Sequence, residues 1–591
     1  MKPGFFFYIV GPSGAGKDSL IDGARKELPS LDFTFARRVI TRPPGKPGED
    51  YDSCTPPEFE ARRERGEFLV TWDAHGLQYG LPRTLLTDQQ AGKHIIANGS
   101  RAIAQELKAL VPNLVFVEVT APIDVLAKRI AQRGRETEQE IRERLARQVR
   151  PLPADVQTYQ IQNDQTLAIG IRRFVGILLH VTGLSEDKHK AHHKKLSGKP
   201  LTQPEIRDVF GRINSGEISS DDVNALLIEY CSALSDEELI AIARVRSEQM
   251  PRIEWPAPMV VDKHSLGGTP GSRVTMIVIP IVAEHGLLIP KTSSRAITSA
   301  AGTADAMEVL AKVDLDREQV RKVAIQANGC IAWNGRLNHS RLDDAMNAIT
   351  RPLALDTRRW SVASILSKKY SAGATHVVID IPYSPTGKVR SAQEAANLGT
   401  LFETVGHAMG MTVRAFGTPG HAPIGRGLGA GLETLDVLSI LSSDPSAPSD
   451  LREKALFFAG HILAFDPSLG NYEMGRARAE ELLSTHRALD RLNKIIELQG
   501  RATPLDWKLA HTETVVATTS GLVLGIDGLR ISGIARQAGA PSDKLAGVYL
   551  HANVGTHVLK GAPLFDIYAS SEPALQSALE LAQASHGFEI S

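Results

Sequence analysis

The chain has 591 residues, too many for one hydrophobic core, and ordinary domain sizes give about three to five domains. Lysine plus arginine equals aspartate plus glutamate at 67 each. That balance removes any global electrostatic case for nucleic acid or an anionic membrane as a partner, so anion binding must rest on local patches. Cys54, Cys231 and Cys330 are far apart and without paired metal-ligand spacing, which argues against a disulfide framework and fits a reducing cytoplasm.

Phe5 to Val10 reads as a buried first strand rather than a signal peptide. It runs into GPSGAGKDS, Gly11 to Ser19, and then a helical pattern through Leu20, Ala24 and Leu28. Strand, glycine loop and helix is the P-loop order. Gly11, Gly14 and Gly16 let the loop, with Pro12, Ser13 and Ala15, wrap its backbone around nucleotide phosphates, and Lys17 reaches the terminal ones. Where the general motif places Ser or Thr on magnesium this chain has Asp18, so Asp18 or Ser19 must take that contact. Downstream come Arg37, Arg38, Thr41 and Arg42, the stretch HGLQYGLP, and IIANGSRA, a strand ending in polar donors. Arg129, Arg133 and Arg135 then crowd one segment. A solvated helix face gives the same crowding, but behind a P-loop it reads as a lid that closes over ATP and offsets charge on the phosphoryl group in flight.

GPSGAGKDSL, VITRP, HGLQYG, NGSR and RGRE, in that order, resemble the ribose 1,5-bisphosphate phosphokinase family, which has the guanylate kinase fold; Asp18 is itself typical of that family. The resemblance implies transfer of the γ-phosphoryl group of ATP, with Mg2+, to the 1-phosphate of ribose 1,5-bisphosphate, giving phosphoribosyl pyrophosphate. It implies an acceptor site lined by Arg42, Tyr79, Asn98, Ser100 and Arg101. Guanylate kinase is the neighbouring alternative.

Residues 185–200 show no apolar periodicity and read as a linker, with His189, His192 and His193 in a solvated tract rather than on a metal. Capping boxes at Thr202/Glu205 and Ser235/Glu238, with Val223, Leu226, Leu227 and Tyr230 at helical spacing, predict a small helical region packed beside the glycine-rich stretch that it precedes.

That stretch is VDKHSLGGTPGSRVT, Val261 to Thr275, again strand, glycine loop and helix start. Gly267, Gly268 and Gly271 let backbone N–H groups approach an anion. Lys263 and Arg273 add charge, and Ser265 and Thr275 add hydroxyls, so the stretch reads as a phosphate cradle. The apolar run Val274 to Pro290 is broken by Glu284, His285, Gly286 and two prolines, which predicts a buried core helix and not a membrane span. IPKTSSRAITSAAGTAD supplies a second donor cluster, positioned to face the first across a cleft. Ser364 and Lys368 fall on one helix face, and the buried strand THVVIDIP leads to a loop bearing Lys388.

These stretches resemble the thymidine phosphorylase family of nucleoside phosphorylases, and more closely its archaeal-type AMP phosphorylase branch, over residues 201–591. The AMP branch implies that Gly268, Ser294, Arg295, Ala296, Ile297, Thr298, Ser299, Thr303, Ser364 and Lys388 bind nucleotide or phosphate, with Asp356 as proton donor. The thymidine reading implies phosphate on Lys263, Ser265, Thr275, Ser293 and Thr303, with Arg351, Ser364 and Lys368 near the base. Lys17, His264 and Asp356 are the catalytic candidates. An ordinary aspartate is about 0.1% protonated at pH 7, so an acid role for Asp356 requires burial to lift its pKa by roughly three units. Phosphorolysis of an N-glycosidic bond requires no metal or cofactor. The loop Gly417 to Gly429, with Thr418 and His421, departs from the acidic residue and Gln-Pro step usual in the family.

The expected organisation is an α/β multidomain chain: a kinase-like domain at 1–184, a linker at 185–200, a helical subdomain at 201–257, a phosphate and nucleotide-binding α/β region at 258–504, and a C-terminal α/β domain at 505–591. The expected function is a bifunctional cytoplasmic enzyme, a homodimer or larger. One half would split a nucleoside 5′-monophosphate into base and ribose 1,5-bisphosphate, and the other would phosphorylate that product. The alternatives are a pyrimidine nucleoside phosphorylase fused to an independently used kinase, and a chain in which one half is an inactive binding or oligomerisation module.

Overall fold

The computed structural model describes residues 2–43, 51–74, 76–131, 151–232, 234–250, 252–296, 299–336, 342, 346, 348, 356–385 and 387–591. The chain divides into two compact units, residues 1–238 with 342–356, and residues 239–341 with 357–591.

In the first unit the run FFYIV forms the strand Phe6–Val10, buried on both faces as the centre of a parallel sheet must be. It pairs with His94–Asn98 on one side and Leu114–Thr120 on the other, and Phe33–Phe35 and Thr158–Gln162 extend the sheet to five parallel strands. Phe7 and Ile9 pack with Leu20 and Phe174, while Phe6, Tyr8 and Val10 pack with Leu81 and Phe116 on the opposite face. That alternation is the period of two of a strand. A four-stranded sheet, in the order Tyr51–Ser53, Arg38–Ile40, Leu77–Pro82 and Phe68–Ala74, stands beside it.

The helix Leu167–Thr182 follows the parallel sheet, and here the expectation of a solvated linker fails. Residues 190–196 form a helix with Ala191, His192, Lys195 and Leu196 buried. The charges have partners: Lys195 Nζ lies 2.6 Å from Glu238 with both side chains fully buried, and the half-buried Lys194 pairs with Glu205 at 2.8 Å. At Gly176 a Cβ would sit 2.6 Å from Leu196 Cβ, so glycine allows the two helices to touch. The Thr202/Glu205 capping box forms at the start of the helix Gln203–Ser215. Residues 201–238 belong to the same unit as the P-loop sheet, not to the unit with the cradle.

The second unit is built on the parallel strands Val261–Ser265, His376–Tyr383 and Thr412–Pro419, with His376–Tyr383 in the middle. Ile289–Ser293 and Gly329–Trp333 form a second parallel pair, joined to the first sheet by the bridge Val260–Leu288. The helix Val274–His285 is buried from Val274 through Ala283 and is a core helix, as its interrupted apolar run predicts. Among the described residues no helix is long and apolar enough to cross a membrane. Gly427–Leu428 pairs with Gly547–Leu550, so the 417–429 loop enters the four-stranded sheet completed by Pro563–Ala569 and His511–Val516.

Candidate functional site

The P-loop of the first unit is shaped by its glycines. Gly14 and Gly16 take φ +81° and +88°, and a Cβ on Gly11 would meet the Val119 carbonyl oxygen at 2.1 Å. The Lys17 ammonium donates to the carbonyls of Gly11 and Pro12 at 2.8 and 3.0 Å. Asp18 accepts from the Asn98 amide and lies 3.8 Å from Arg38, with its side chain still 44% exposed; Ser13 and Ser19 are exposed. Of the predicted acceptor residues, Asn98 meets the P-loop through Asp18. Arg101 pairs with Glu118, Ser100 caps its own turn at the Ala102 N–H, Tyr79 is buried against Trp72 at 5.4 Å, and Arg42 lies over the Tyr51 ring. Arg129 donates to the Asn163 carbonyl at 2.8 Å. Arg133 and Arg135 lie outside the described residues.

In the second unit, loops leaving the C-terminal ends of five parallel strands surround a cavity of about 1000 Å³. This is where open parallel sheets place ligands. Lys263, His264, Ser265, Gly268, Thr275, Ser293, Ser294, Arg295, Ala296, Ser299, Thr303, Lys368 and Lys388 line it, so the two predicted donor clusters meet in one space. Ser364 and Asp356 are not among the lining residues, and Ile297, Thr298 and Arg351 lie outside the described residues. Asp356 is exposed, so the burial that an acid role demands of it is missing.

The cavity floor rests on two buried carboxylates. Asp380 accepts from Ser265 Oγ at 2.9 Å and Thr418 Oγ1 at 2.7 Å, and lies 3.6 Å from Lys263 Nζ and 3.4 Å from Lys454 Nζ. Asp262 holds Lys369 at 2.7 Å and Lys291 at 3.3 Å. Four lysines thus share two counter-charges, which leaves the floor cationic. Burial pulls Lys263 down to about 8 and Lys291 down to about 7, while both carboxylates stay below the usual aspartate range because of their lysine neighbours. Burial first, then Lys369, Lys291, Lys263 and Lys368, hold the His264 imidazole well below the histidine range, so it is neutral at pH 7. None of Asp262, Asp380, Lys369 and Lys454 was singled out from sequence; a lone charge inside an apolar strand, as in THVVIDIP, is the signal that marks Asp380.

Two arginines expected to serve the ligand line the cavity with their guanidinium groups held by carboxylates. Arg273 binds Glu433, the Thr303 hydroxyl at 3.2 Å and the Ala301 carbonyl at 3.0 Å, and burial raises Glu433 to about 7. Arg295 binds Asp305 at 3.1 Å and Glu308 at 2.6 Å. Both shape the 294–303 loop, which Asp305 also fastens by accepting from the Ala296 and Gly302 N–H groups. The divergent 417–429 loop is part of the cradle: the Ile424 N–H donates to the Pro270 carbonyl at 3.0 Å, and a Cβ on Gly271 would lie 2.3 Å from the Ile424 carbonyl oxygen. His421 lies on the cavity wall, edge-on to Tyr383.

The His189, His192 and His193 rings are packed 4.1 to 5.9 Å apart instead of solvated. Burial lowers His192 to about 3 and His193 to about 4. Among the described residues no group of three or more side chains could hold a metal.

Three family models match the chain: guanylate kinase over residues 6–166, the a/b domain of a glycosyl transferase family over 257–489, and the C-terminal domain of pyrimidine nucleoside phosphorylases over 522–589. The chain is 52% identical over 586 residues to the bifunctional ribose 1,5-bisphosphokinase-thymidine phosphorylase of Cupriavidus necator, covering 98% of this chain and 97% of that one. It is 46% identical to the protein of the same name from Azorhizobium caulinodans, covering 100% and 98%. A putative thymidine phosphorylase of Bradyrhizobium diazoefficiens is 44% identical over 73% of this chain and 87% of its own. These names give no support to the AMP phosphorylase branch. The chain therefore belongs to the family of bifunctional ribose 1,5-bisphosphokinase-thymidine phosphorylases, an enzyme with a phosphotransferase half of guanylate kinase type and a pentosyltransferase half of nucleoside phosphorylase type.

Proposed function

We propose that the second unit phosphorolyses thymidine or a related pyrimidine nucleoside, and that the first unit phosphorylates ribose 1,5-bisphosphate with ATP. The observation that carries the phosphorylase reading is the cationic floor: Lys263 and Lys291 are held on Asp380 and Asp262 under the loops that supply Ser265, Thr275, Ser293 and Thr303. Fixed donors of this kind hold phosphate without reorganising during the reaction. A phosphate oxygen attacks C1′, the C1′–N bond breaks, its electron pair leaves with the base, and the base takes a proton. The products are free base and sugar 1-phosphate. A neutral His264 donates a hydrogen bond toward the base or sugar without adding positive charge beside a sugar carbon that is itself becoming cationic. Lys368 lies on the base side of this reading, and the exposed Asp356 has no required part in it.

In the kinase half, phosphates of ATP replace the Gly11 and Pro12 carbonyls as partners of Lys17. The partly exposed Asp18 carboxylate and the Ser19 hydroxyl beside it suit the Mg2+ that ATP carries, which offsets phosphate charge. The same reading makes the chain a cytoplasmic enzyme of small molecules, in keeping with its cysteine usage and balanced charge, and the resemblance to the phosphorylase family implies a homodimer or larger.

The test is base release, measured by chromatography, from thymidine, uridine, AMP, CMP and UMP with inorganic phosphate. Release from nucleosides alone supports the proposal. Release from monophosphates alone overturns it and restores the coupled route to phosphoribosyl pyrophosphate.

A further inference from the structure

The Asn163 side chain holds the P-loop from behind. Asn163, 5% exposed at the end of the strand Thr158–Gln162, donates from its amide to the Ala15 carbonyl at 2.7 Å. Two glycines make room for that amide. A Cβ on Gly16 would lie 2.5 Å from Asn163 Nδ2, and one on Gly170, in the helix Leu167–Thr182, would lie 2.6 Å from Asn163 Oδ1. The Asn163 backbone is fixed as well, its N–H donating to the Thr120 carbonyl at 2.7 Å and its own carbonyl accepting from Arg129 at 2.8 Å.

The residue before it carries the connection outward. The Gln162 carbonyl accepts from Arg173 Nη1 at 3.1 Å, and Arg173 Nη2 donates to Glu229 Oε2 at 2.5 Å. Arg173 and Glu229 are each 7% exposed. Glu229 lies in the helix Ser220–Ser232, and both it and Arg173 fall outside residues 6–166, where the guanylate kinase model matches. The connection is therefore an addition to that model, supplied by the helical segment expected from sequence to serve the phosphorylase.

We propose that Glu229, Arg173 and Asn163 are positioning residues of the kinase, a buried relay through which the helix Ser220–Ser232 sets the P-loop for ATP. A guanidinium fixed between a carboxylate and a strand-end carbonyl has little freedom, so loss of the carboxylate is transmitted to Gln162 and to the amide next to it. By linkage, ATP on the P-loop favours the docked position of that helix, and release of the helix weakens ATP.

This inference rests on the first unit being an ATP-dependent kinase, so Mg-ATP binding by calorimetry, and ADP formation with ribose 1,5-bisphosphate, are measured first on the full-length chain. No binding and no turnover by the unsubstituted chain would remove the kinase reading and the relay with it. Given binding, Glu229→Ala raises the Kd and KM for ATP about tenfold with a smaller change in kcat, whereas Glu229→Gln, which keeps an acceptor oxygen, stays within about twofold. The double variant Glu229→Ala/Asn163→Ala binds ATP no more weakly than Asn163→Ala alone, because both break one path. Arg173→Lys, which keeps the charge but cannot hold both partners, gives the same shift and serves if Glu229→Ala does not fold. ATP affinity unchanged in folded Glu229→Ala or Arg173→Lys, or full additivity in the double variant, overturns the relay.

Discussion

The two glycine loops of this chain, both proposed to hold phosphate, carry opposite arrangements of charge. In the P-loop the lysine is only part-buried and rests on two carbonyls of its own loop. In the cradle, Lys263 and Lys291 are almost wholly buried, and each leans on a carboxylate from a strand. The first arrangement keeps its charge available at little desolvation cost. The second places charge in low dielectric, where it acts more strongly on an anion but must be supported by Asp262 and Asp380. Damage to the support should therefore cost the cradle its fold as well as its chemistry, and damage to the P-loop should cost chemistry alone.

The sharpest way to break this comparison is Asp380→Ala. It leaves Lys263 and Lys454 buried without their counter-charge, so unfolding by urea should show a loss of about 3–5 kcal/mol, with phosphorolysis abolished. A variant as stable as the parent would remove the distinction between the loops. Next in size, Lys17→Ala should lower phosphoryl transfer about 100-fold or more while the melting temperature and phosphorolysis hold, as read by ADP formation and base release on one preparation. Lys263→Ala should then lower kcat/KM for phosphate about 10- to 150-fold, the worth of one charge-assisted hydrogen bond, and leave ATP turnover untouched.

The smallest expected effect is on pH dependence, where the stability of the cradle and its hold on phosphate move in opposite directions. Lys291 near 7 and Lys263 near 8 shed their protons as pH rises, so KM for phosphate in phosphorolysis should climb between pH 7 and 9. Their ordinary value is 10.5, so between about 7 and 10.5 the unfolded chain binds more protons than the folded one. Stability should therefore rise with pH across that window while phosphate binding weakens. A phosphate KM that falls from pH 7 to 9 would contradict the placement of these charges.

What the sequence made legible was what it encodes locally. Gly11 to Lys17 and Val261 to Thr275 carry their loops, their lysines and the helix starts within a few residues, and the structure keeps both in the expected order of strand, loop and helix. What stayed hidden depends on register. Ser265 stands opposite Asp380 across a parallel pair of strands more than a hundred residues apart, and no spacing rule brings that carboxylate beneath Lys263. Charge counting also left out the partners: Arg273 and Arg295 line the cavity as their residue type suggests, but Glu433, distant in sequence, and Asp305 and Glu308 hold their guanidinium groups. Residues 185–200 look solvated in sequence because their lysines and histidines lack periodicity, yet a later helix supplies Glu238 as a fully buried partner for Lys195, and another supplies Glu205 as a half-buried one for Lys194. An acid role for Asp356 depends on a burial that the structure does not give it.

The most direct test of the central claim, that the lysine floor delivers phosphate to a nucleoside, is phosphorus NMR of thymidine and inorganic phosphate incubated with the full chain. A phosphate monoester signal should grow in step with free thymine, and both should form at least about tenfold more slowly with Lys263→Ala. Thymine released without the ester, or ester formed equally well by Lys263→Ala, would contradict that claim.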